Sequence, residues 1–311
     1  MGCSIVVRAY NEEGHIGRLL EGINRQTIRD VEVILVDSGS TDATVSIAGK
    51  FGAKVVNVRP EEFTFGRSLN RGVEAASHEL VAIASAHVYP VYPDWLERLL
   101  EPLSNVRVAL SYGKQRGNEQ SKFSEHQIFL HWFPDHSDFQ QTHPFCNNAN
   151  AAIRRSLWVR HPYDESLTGL EDIEWGKWAI HEGFLIAYAA EAEIIHVHDE
   201  SPLGVFNRYR REAMAFKQLY PEAHFSLYDF ARMTVANIAH DLSHALGRKK
   251  IHGGLTGIVW FRAAQFWGTY QGYRHAIEWT WQLRQKFYYP QARVVDEGVG
   301  VRSIDPIRYD K

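Results

Sequence analysis

Short apolar runs alternate with amphipathic stretches along the first 85 residues, and this alternation limits the fold more than any other feature. Ser4-Ile5-Val6-Val7-Arg8-Ala9, Val31-Glu32-Val33-Ile34-Leu35-Val36, Ala53-Lys54-Val55-Val56-Asn57-Val58 and Leu80-Val81-Ala82-Ile83-Ala84 each read as a strand. Between the first two, Ile16, Leu19, Leu20 and Ile23 share one face of a helix expected to run to about Arg25. Further helices are expected from the 38–42 loop to Phe51 and from Phe65 to Ser77. This order predicts an α/β fold with a doubly wound, mostly parallel, Rossmann-like sheet. Such sheets bind ligands outside the carboxyl ends of their strands. Those ends carry Tyr10-Asn11-Glu12, Asp37 and Ser85-Ala86-His87. Asn11 is expected to cap the first helix.

With 311 residues, 45% hydrophobic and 23% charged, the chain has material for one large or two smaller domains. The formal net charge of -3 provides no overall cationic field, so nucleic acid is not an expected partner. Cys3 and Cys146 are too few for a disulfide framework or a four-thiolate metal site, and free thiols are expected. No leader with a basic start and an apolar middle is visible, and no apolar run is long enough to span a membrane. A cytoplasmic protein is therefore expected. Neither a Walker A loop nor a G-x-G-x-x-G turn follows the first strand, which disfavours an NTPase or a dinucleotide enzyme.

The chain from Ser4 through Tyr10-Asn11-Glu12-Glu13, followed by Val36-Asp37-Ser38-Gly39-Ser40-Thr41-Asp42, resembles the opening of the family 2 glycosyltransferases, with Arg8 where proline is common. The resemblance implies a GT-A fold and places Ala9, Tyr10, Glu12, Asp37 and Asp42 around the nucleotide of a sugar donor. Asp37 also suits a base or ribose on chemical grounds, whereas Asp42 can simply cap the next helix. The segment Glu61-Glu62-Phe63 to Gly66-Arg67-Ser68-Leu69-Asn70 is similar to the next family segment, which some rhamnosyltransferase-type members carry in a different version. Arg67 and Asn70 would then lie near the donor. Arg67 can pair with a pyrophosphate or remain a solvated arginine.

In the resembled family the fourth strand ends in an Asp-x-Asp-like motif that binds a divalent cation. Here those positions are Ser85, Ala86 and His87. Imidazole suits Mn²⁺ better than Mg²⁺, so Mn²⁺ is the expected ion. Direct phosphate contact and a structural role are the alternatives for His87. Downstream, Glu193 to Glu200 alternates like a strand and puts His196 and His198 on one side. The resemblance implies a histidine in this segment that reaches the metal or diphosphate. His198 is favoured, with Asp199 as its orienting partner.

The acceptor half follows. Trp95–Leu103 reads as a helix, Val106–Tyr112 as a strand and Gly113–Arg116 as its exit loop. The segment from Phe145 to Trp158 again resembles the family. The amides of Asn147 and Asn148 suit sugar hydroxyls. Glu171-Asp172 matches the family's Glu-Asp pair, whose aspartate is the base of inverting transfer. Glu171 would help place the acceptor. As plain chemistry, acidic residues at a helix start are also favoured by its dipole. Trp175 and Trp178 form either a stacking floor for a sugar or part of the core.

Arg208, Arg210 and Arg211 form a basic cluster suited to phosphates, lipid headgroups or solvent. Two apolar-rich helices are expected over 230–246 and 255–273, with Ala264, Gly268 and Gly272 as a ridge of small residues. They would serve a membrane surface, a homodimer contact or a lid. The expected organisation is a GT-A domain over 1–210, comprising a nucleotide-sugar half (1–112) and an acceptor half (113–210). A C-terminal helical region would cover 211–311. The expected function is inverting transfer from a nucleotide-diphosphate sugar to a glycan or lipid-linked saccharide in cell-surface polysaccharide synthesis. The alternative is a catalytically impaired GT-A module that binds nucleotide sugar or glycan. A GT-A nucleotidyltransferase is disfavoured by the Glu171-Asp172 segment.

Overall fold

In the computed structural model, residues 2–198, 200–246, 254–274 and 304–309 are described. The first half alternates as its apolar runs dictate: β1 (Cys3–Ala9), α1 (Ile16–Asn24), β2 (Val31–Asp37), α2 (Thr44–Lys50), β3 (Lys54–Asn57), α3 (Phe65–Glu74) and β4 (Leu80–Ser85). Then come β5 (Val88–Pro90), α4 (Trp95–Leu100), β6 (Val108–Arg116), α5 (Phe123–Trp132), β7 (Asp138–Gln141), β8 (Asn150–Arg154), α6 (Arg155–Arg160), α7 (Glu171–His181) and β9 (Leu185–His196). The chain continues through α8 (Pro202–Leu219), α9 (Leu227–Ala245) and α10 (Gly254–Arg274).

All the strands belong to one sheet of order β3-β2-β1-β4-β8-β6-β9-β5, with β7 on β9. The first four strands are parallel, as is the β6–β9 pair. β8, β5 and β7 join their neighbours antiparallel. Alternate residues of β1 enter opposite cores, which is why its middle, Ile5-Val6-Val7, is continuously apolar rather than alternating. Ile5 and Val7 pack with Leu19, Leu20 and Ile23 of α1 and Trp95 and Leu99 of α4. Val6 packs on the other face with Leu69 and Val73 of α3 and Trp175 and Ala179 of α7.

Three local expectations are corrected. Asn11 does not cap α1, which starts at Ile16 after His15. Asn11 instead adopts a positive φ of 54°, and its side chain accepts from the Thr41 N–H at 2.8 Å. The exit loop expected over 113–116 is strand, because Gln115 and Arg116 pair with Ile194 and Ile195. The boundary expected after residue 210 falls inside α8.

The helical extension therefore starts with α8. Gly268 and Gly272 of α10 lie against the backbone of Phe206 and Arg210 in α8, where a Cβ would collide with a carbonyl oxygen. The small-residue ridge thus does what its spacing predicts. α9 departs from the usual amphipathic pattern: beside Met233 and Ala245 it buries Asp229, Asn237 and Asp241, and it exposes Leu227, Tyr228 and Val235. The buried polar groups are paired, Asp241 with Arg262 of α10 and Asn237 with the Met233 carbonyl. Among the described residues, no helix is long and apolar enough to cross a membrane. The basic link over 247–250, Asp199 and the tail over 290–303 lie outside the described residues.

Candidate active site

The strand order changes direction at β1, with β2 on one side and β4 on the other, and a crevice opens at such a switch point. Ala9 is in register with Asp37, and Arg8 with Ser85, so the three strand ends share one edge. After β4 the chain turns at Ala86-His87 and pairs β5 with β9, Val88 opposite His196. The Val197 N–H then donates to the His87 carbonyl at 3.0 Å. This pairing brings the sequence-distant His87 and His198 together. The start of α7 closes the far side, and the result is a cleft of about 520 Å³. Ser85, His87, Glu12, Asn147, Asn148, Glu171, Asp172 and His198 all line it.

Histidines crowd the middle of this cleft. The His87 ring stacks on His196 at 5.1 Å between centroids, and His196 and His198 are 4.0 Å apart. Burial holds His196 and His198 well below the ordinary imidazole range, helped by neighbouring positive groups that include Arg208. Neutral imidazoles are the form that ligates metal. One ring nitrogen from each of His87, His196 and His198 lies within 4.8 Å of the others, and Glu125, His198 and Glu200 form a second such group. His196 Nε2 is buried with no hydrogen-bond partner. The residues present therefore fit a divalent cation, and the donor set is rich in nitrogen.

Asp172 and Glu171 form the acidic start of α7, 9% and 4% exposed. Leu170, just before them, adopts a positive φ of 59°, so a strained residue sets the pair in place. Asp172 Oδ2 accepts from the Asn148 N–H at 3.1 Å, and Oδ1 from the Ile173 N–H at 2.8 Å. Burial, then the neighbouring Glu171, push its pKa up to about 7, against those two N–H groups and Arg8. A carboxyl near neutrality is matched to taking a proton from an alcohol. Asn148 Nδ2 reaches Glu171 Oε1 at 3.4 Å. Asn147 spends its side-chain oxygen on the Ala149 N–H at 2.9 Å.

Several expected residues lie elsewhere. Asp37 is buried at the strand edge, its carboxylate accepting from the Gly39 and Ser40 N–H groups at 3.0 and 3.1 Å. Tyr10 is exposed beside it. Asp42 is away from the cleft, accepting from the Glu13 N–H at 3.0 Å and the Thr44 N–H at 2.9 Å, one residue ahead of Ala43, the N-cap of α2. Arg67 pairs with Glu165 at 2.7 Å rather than facing the cleft. Asn70 bonds Glu165 and the Tyr163 carbonyl and accepts from the Trp158 indole, so it braces α3. Trp175 is fully buried, and its indole donates to the His161 carbonyl at 2.7 Å. A residue with no exposed ring face cannot be a sugar floor, and Trp175 is core.

Sequence reasoning missed three groups that the fold puts in or beside the cleft, and left a fourth, Arg208, unplaced. Arg8 reaches Glu171 at 3.2 Å and stacks on Phe65. Its replacement of the family's usual proline was the available signal. Glu125 accepts from His198 at 2.6 Å and from Arg208 at 3.0 Å, and Gln115 pairs with His196 at 2.8 Å. No local pattern marked Glu125 or Gln115. Arg208 belonged to a basic cluster whose face could not be read. A second cavity of about 190 Å³ shares Asp172, His196 and His198 with the cleft and is lined by Phe129, Trp132, Phe145 and Phe216. Cys3 and Cys146 are free and buried.

Comparison with known proteins bears on the family and the fold. The glycosyl transferase family 2 model matches residues 4–161. The chain is 25% identical over 218 residues to an O-antigen chain rhamnosyltransferase of Salmonella anatum, covering 66% of this chain and 69% of that protein. It is also 25% identical over 214 residues to the glycosyltransferase AglE of Haloferax volcanii, covering 65% and 68%. In fold it is similar to a mannosyltransferase from Pyrobaculum calidifontis solved with GDP-Man and Mn²⁺, with a TM-score of 0.58 at 19% identity over 87% of this chain and 84% of that one. A glucosyl-3-phosphoglycerate synthase of Mycobacterium tuberculosis solved with UDP gives a TM-score of 0.52 at 24% identity over 68% and 78%. With a family match over half its length and the GT-A sheet around its cleft, this chain belongs to the family 2 glycosyltransferases.

Proposed function

We propose that the chain transfers a sugar, with inversion, from a nucleotide-diphosphate sugar to a hydroxyl of a glycan or lipid-linked saccharide in cell-surface polysaccharide synthesis. The observation that carries this reading is Asp172: a nearly buried carboxyl, pushed up to about 7, in the same cleft as the strand-end histidines. Support for the donor class comes from relatives and fold neighbours named for rhamnosyl transfer or solved with GDP-Man or UDP.

In this reading Asp172 takes the proton of the acceptor hydroxyl as its oxygen attacks the anomeric carbon. The new C–O bond forms on the face opposite the departing diphosphate, which leaves with the old bond's electrons. Glu171, fixed by Arg8 and Asn148, orients the acceptor, with Asn147 beside it. Glu12 and Ser85 form the donor side of the cleft, and Ala9, Tyr10 and Asp37 extend it along the neighbouring strand edge. His87 and His198 would hold a divalent cation, Mn²⁺ over Mg²⁺, and when bound it offsets charge on the diphosphate.

Thermal-shift screening of nucleotide diphosphates and their sugars, with and without Mn²⁺, names the donor. Asp172→Asn should then bind that donor and turn over at least about a hundredfold more slowly, the usual scale of general-base loss. An Asp172→Asn protein that keeps most of its turnover overturns the base assignment. Donor binding without turnover on any acceptor would favour the binding-module alternative.

A further inference from the structure

His87, His196 and His198 share a second property besides proximity. Each gives its Nδ1 to an acceptor on a different part of the chain. His87 pairs with Glu12 Oε1 at 2.8 Å, His196 with Gln115 Oε1 at 2.8 Å and His198 with Glu125 Oε1 at 2.6 Å. An acceptor at Nδ1 fixes the proton there and leaves Nε2 as a bare lone pair. For His196 that lone pair is buried and unpartnered, a state that folded proteins rarely tolerate without a use for it. Ser85 Oγ lies 3.1 Å from His87 Nε2, and a hydroxyl gives up such a contact by rotating. Carboxylates lie close by: Glu12 against His87, and Glu125 and Glu200 both against Arg208.

Three rings with three outer acceptors and one stranded lone pair form the pattern of oriented metal ligands. We propose that His87, His196 and His198 form one all-imidazole cation site, with His196 as a full ligand and Glu12, Gln115 and Glu125 as its orienting partners. Such a donor set selects borderline transition ions of the Co²⁺ and Zn²⁺ class and rejects Mg²⁺, which requires an oxygen shell. Mn²⁺ binds it as well, but more weakly, in keeping with its low place in the affinity order. The inference deepens the transferase reading, on which the ion's role toward a diphosphate rests. The binding itself needs no donor.

The test uses the full chain stripped with chelator, titrated with Co²⁺ and followed by visible absorption, with no nucleotide present. One equivalent should give d–d bands that Zn²⁺ removes stoichiometrically and a large excess of Mg²⁺ does not. His196→Ala should abolish the bands. Gln115→Leu and Glu125→Gln should keep the stoichiometry and weaken binding by about 10- to 100-fold, as loss of an orienting partner does elsewhere. Circular dichroism of each variant checks its fold, and Gln115→Leu carries the test if His196→Ala unfolds. Absence of Co²⁺ bands, equal competition by Mg²⁺, or unchanged affinity in Gln115→Leu and Glu125→Gln overturns the proposal. Co²⁺ bound in this way by a protein that transfers no sugar upholds the site and removes the transferase reading. Full transfer in excess chelator without Co²⁺ bands does the reverse.

Discussion

Arg8 Nη1 lies 3.2 Å from Glu171 Oε1, joining the end of β1 to the first residue of α7. The guanidinium also stacks 4.8 Å above the Phe65 ring, so its aim is fixed from two sides. This pair links the two halves of the cleft, because β1 carries the proposed donor edge and α7 the carboxyls. Arg8→Ala leaves Glu171 buried without its cation. Breaking a buried pair costs about 3–5 kcal/mol, and the part-exposure of Arg8 lowers the expectation to about 2 kcal/mol, read by urea unfolding. Arg8 also pulls the Asp172 pKa down, so its loss should move the ascending limb of the pH–rate profile upward.

Asp172 should leave a mark on stability as well as on rate. Its pKa is raised from 3.8 to about 7 on folding. Between those values the folded protein holds a proton that the unfolded chain has lost, so this group's contribution falls as pH rises from about 4 to 7. His196 and His198, held below their ordinary range, act in the opposite sense below pH about 6.5. The difference between wild type and Asp172→Asn isolates the carboxyl. Unfolding free energies at pH 5 and pH 8 should show the Asp172→Asn variant gaining on wild type at the higher pH. Equal pH dependence in both proteins would remove the raised pKa.

The parallel half of the fold was legible because β1, β2 and β4 are apolar at nearly every position, and only a sheet covered on both faces accepts that. The strand ends followed, and with them Asp37, Ser85 and His87. Pairing across long separations was not legible. Val88 opposite His196 sets the histidine cluster, yet nothing near either residue specifies the other. Helical spacing placed Trp175 and Trp178 on one face but could not say whether that face met the cleft or the sheet. α9 was read as apolar-rich without revealing that its buried stripe also carries Asp229, Asn237 and Asp241, since the buried Asp241 depends on Arg262 of the next helix.

That dependence yields a third prediction. Arg262 Nε and Nη2 hold Asp241 at 2.7 and 2.9 Å, and Nη2 reaches the Ser124 carbonyl at 3.4 Å. Both side chains are buried, so the fork ties α9 and α10 to the start of α5. Asp241→Ala should cost about 3–5 kcal/mol by stranding a buried guanidinium. Replacing both partners, as Asp241→Leu with Arg262→Met, should recover most of that loss, because the desolvated charges go together. Thermal unfolding of the three variants checks this. A double variant no more stable than the single one would show that the pair is needed for more than charge balance.

Trp175 and Trp132 should respond differently to mutation. Trp175 is sealed in the core beneath α7, with its indole bound to His161. Trp132 lines the smaller cavity that shares Asp172, stacked on Phe145 at 4.7 Å between centroids. Trp175→Phe removes a buried hydrogen bond and leaves a void, together worth about 2–3 kcal/mol. It should lower the melting temperature with little change in KM for the acceptor. Trp132→Ala removes part of a wall of the cavity that Asp172 lines, where the acceptor hydroxyl is proposed to sit. It should raise acceptor KM several-fold while the donor KM stays put. Steady-state kinetics with each substrate varied in turn, beside melting curves, separate the two effects. A Trp175→Phe enzyme with weakened acceptor binding and unchanged stability would reverse the roles and return Trp175 to the sugar floor.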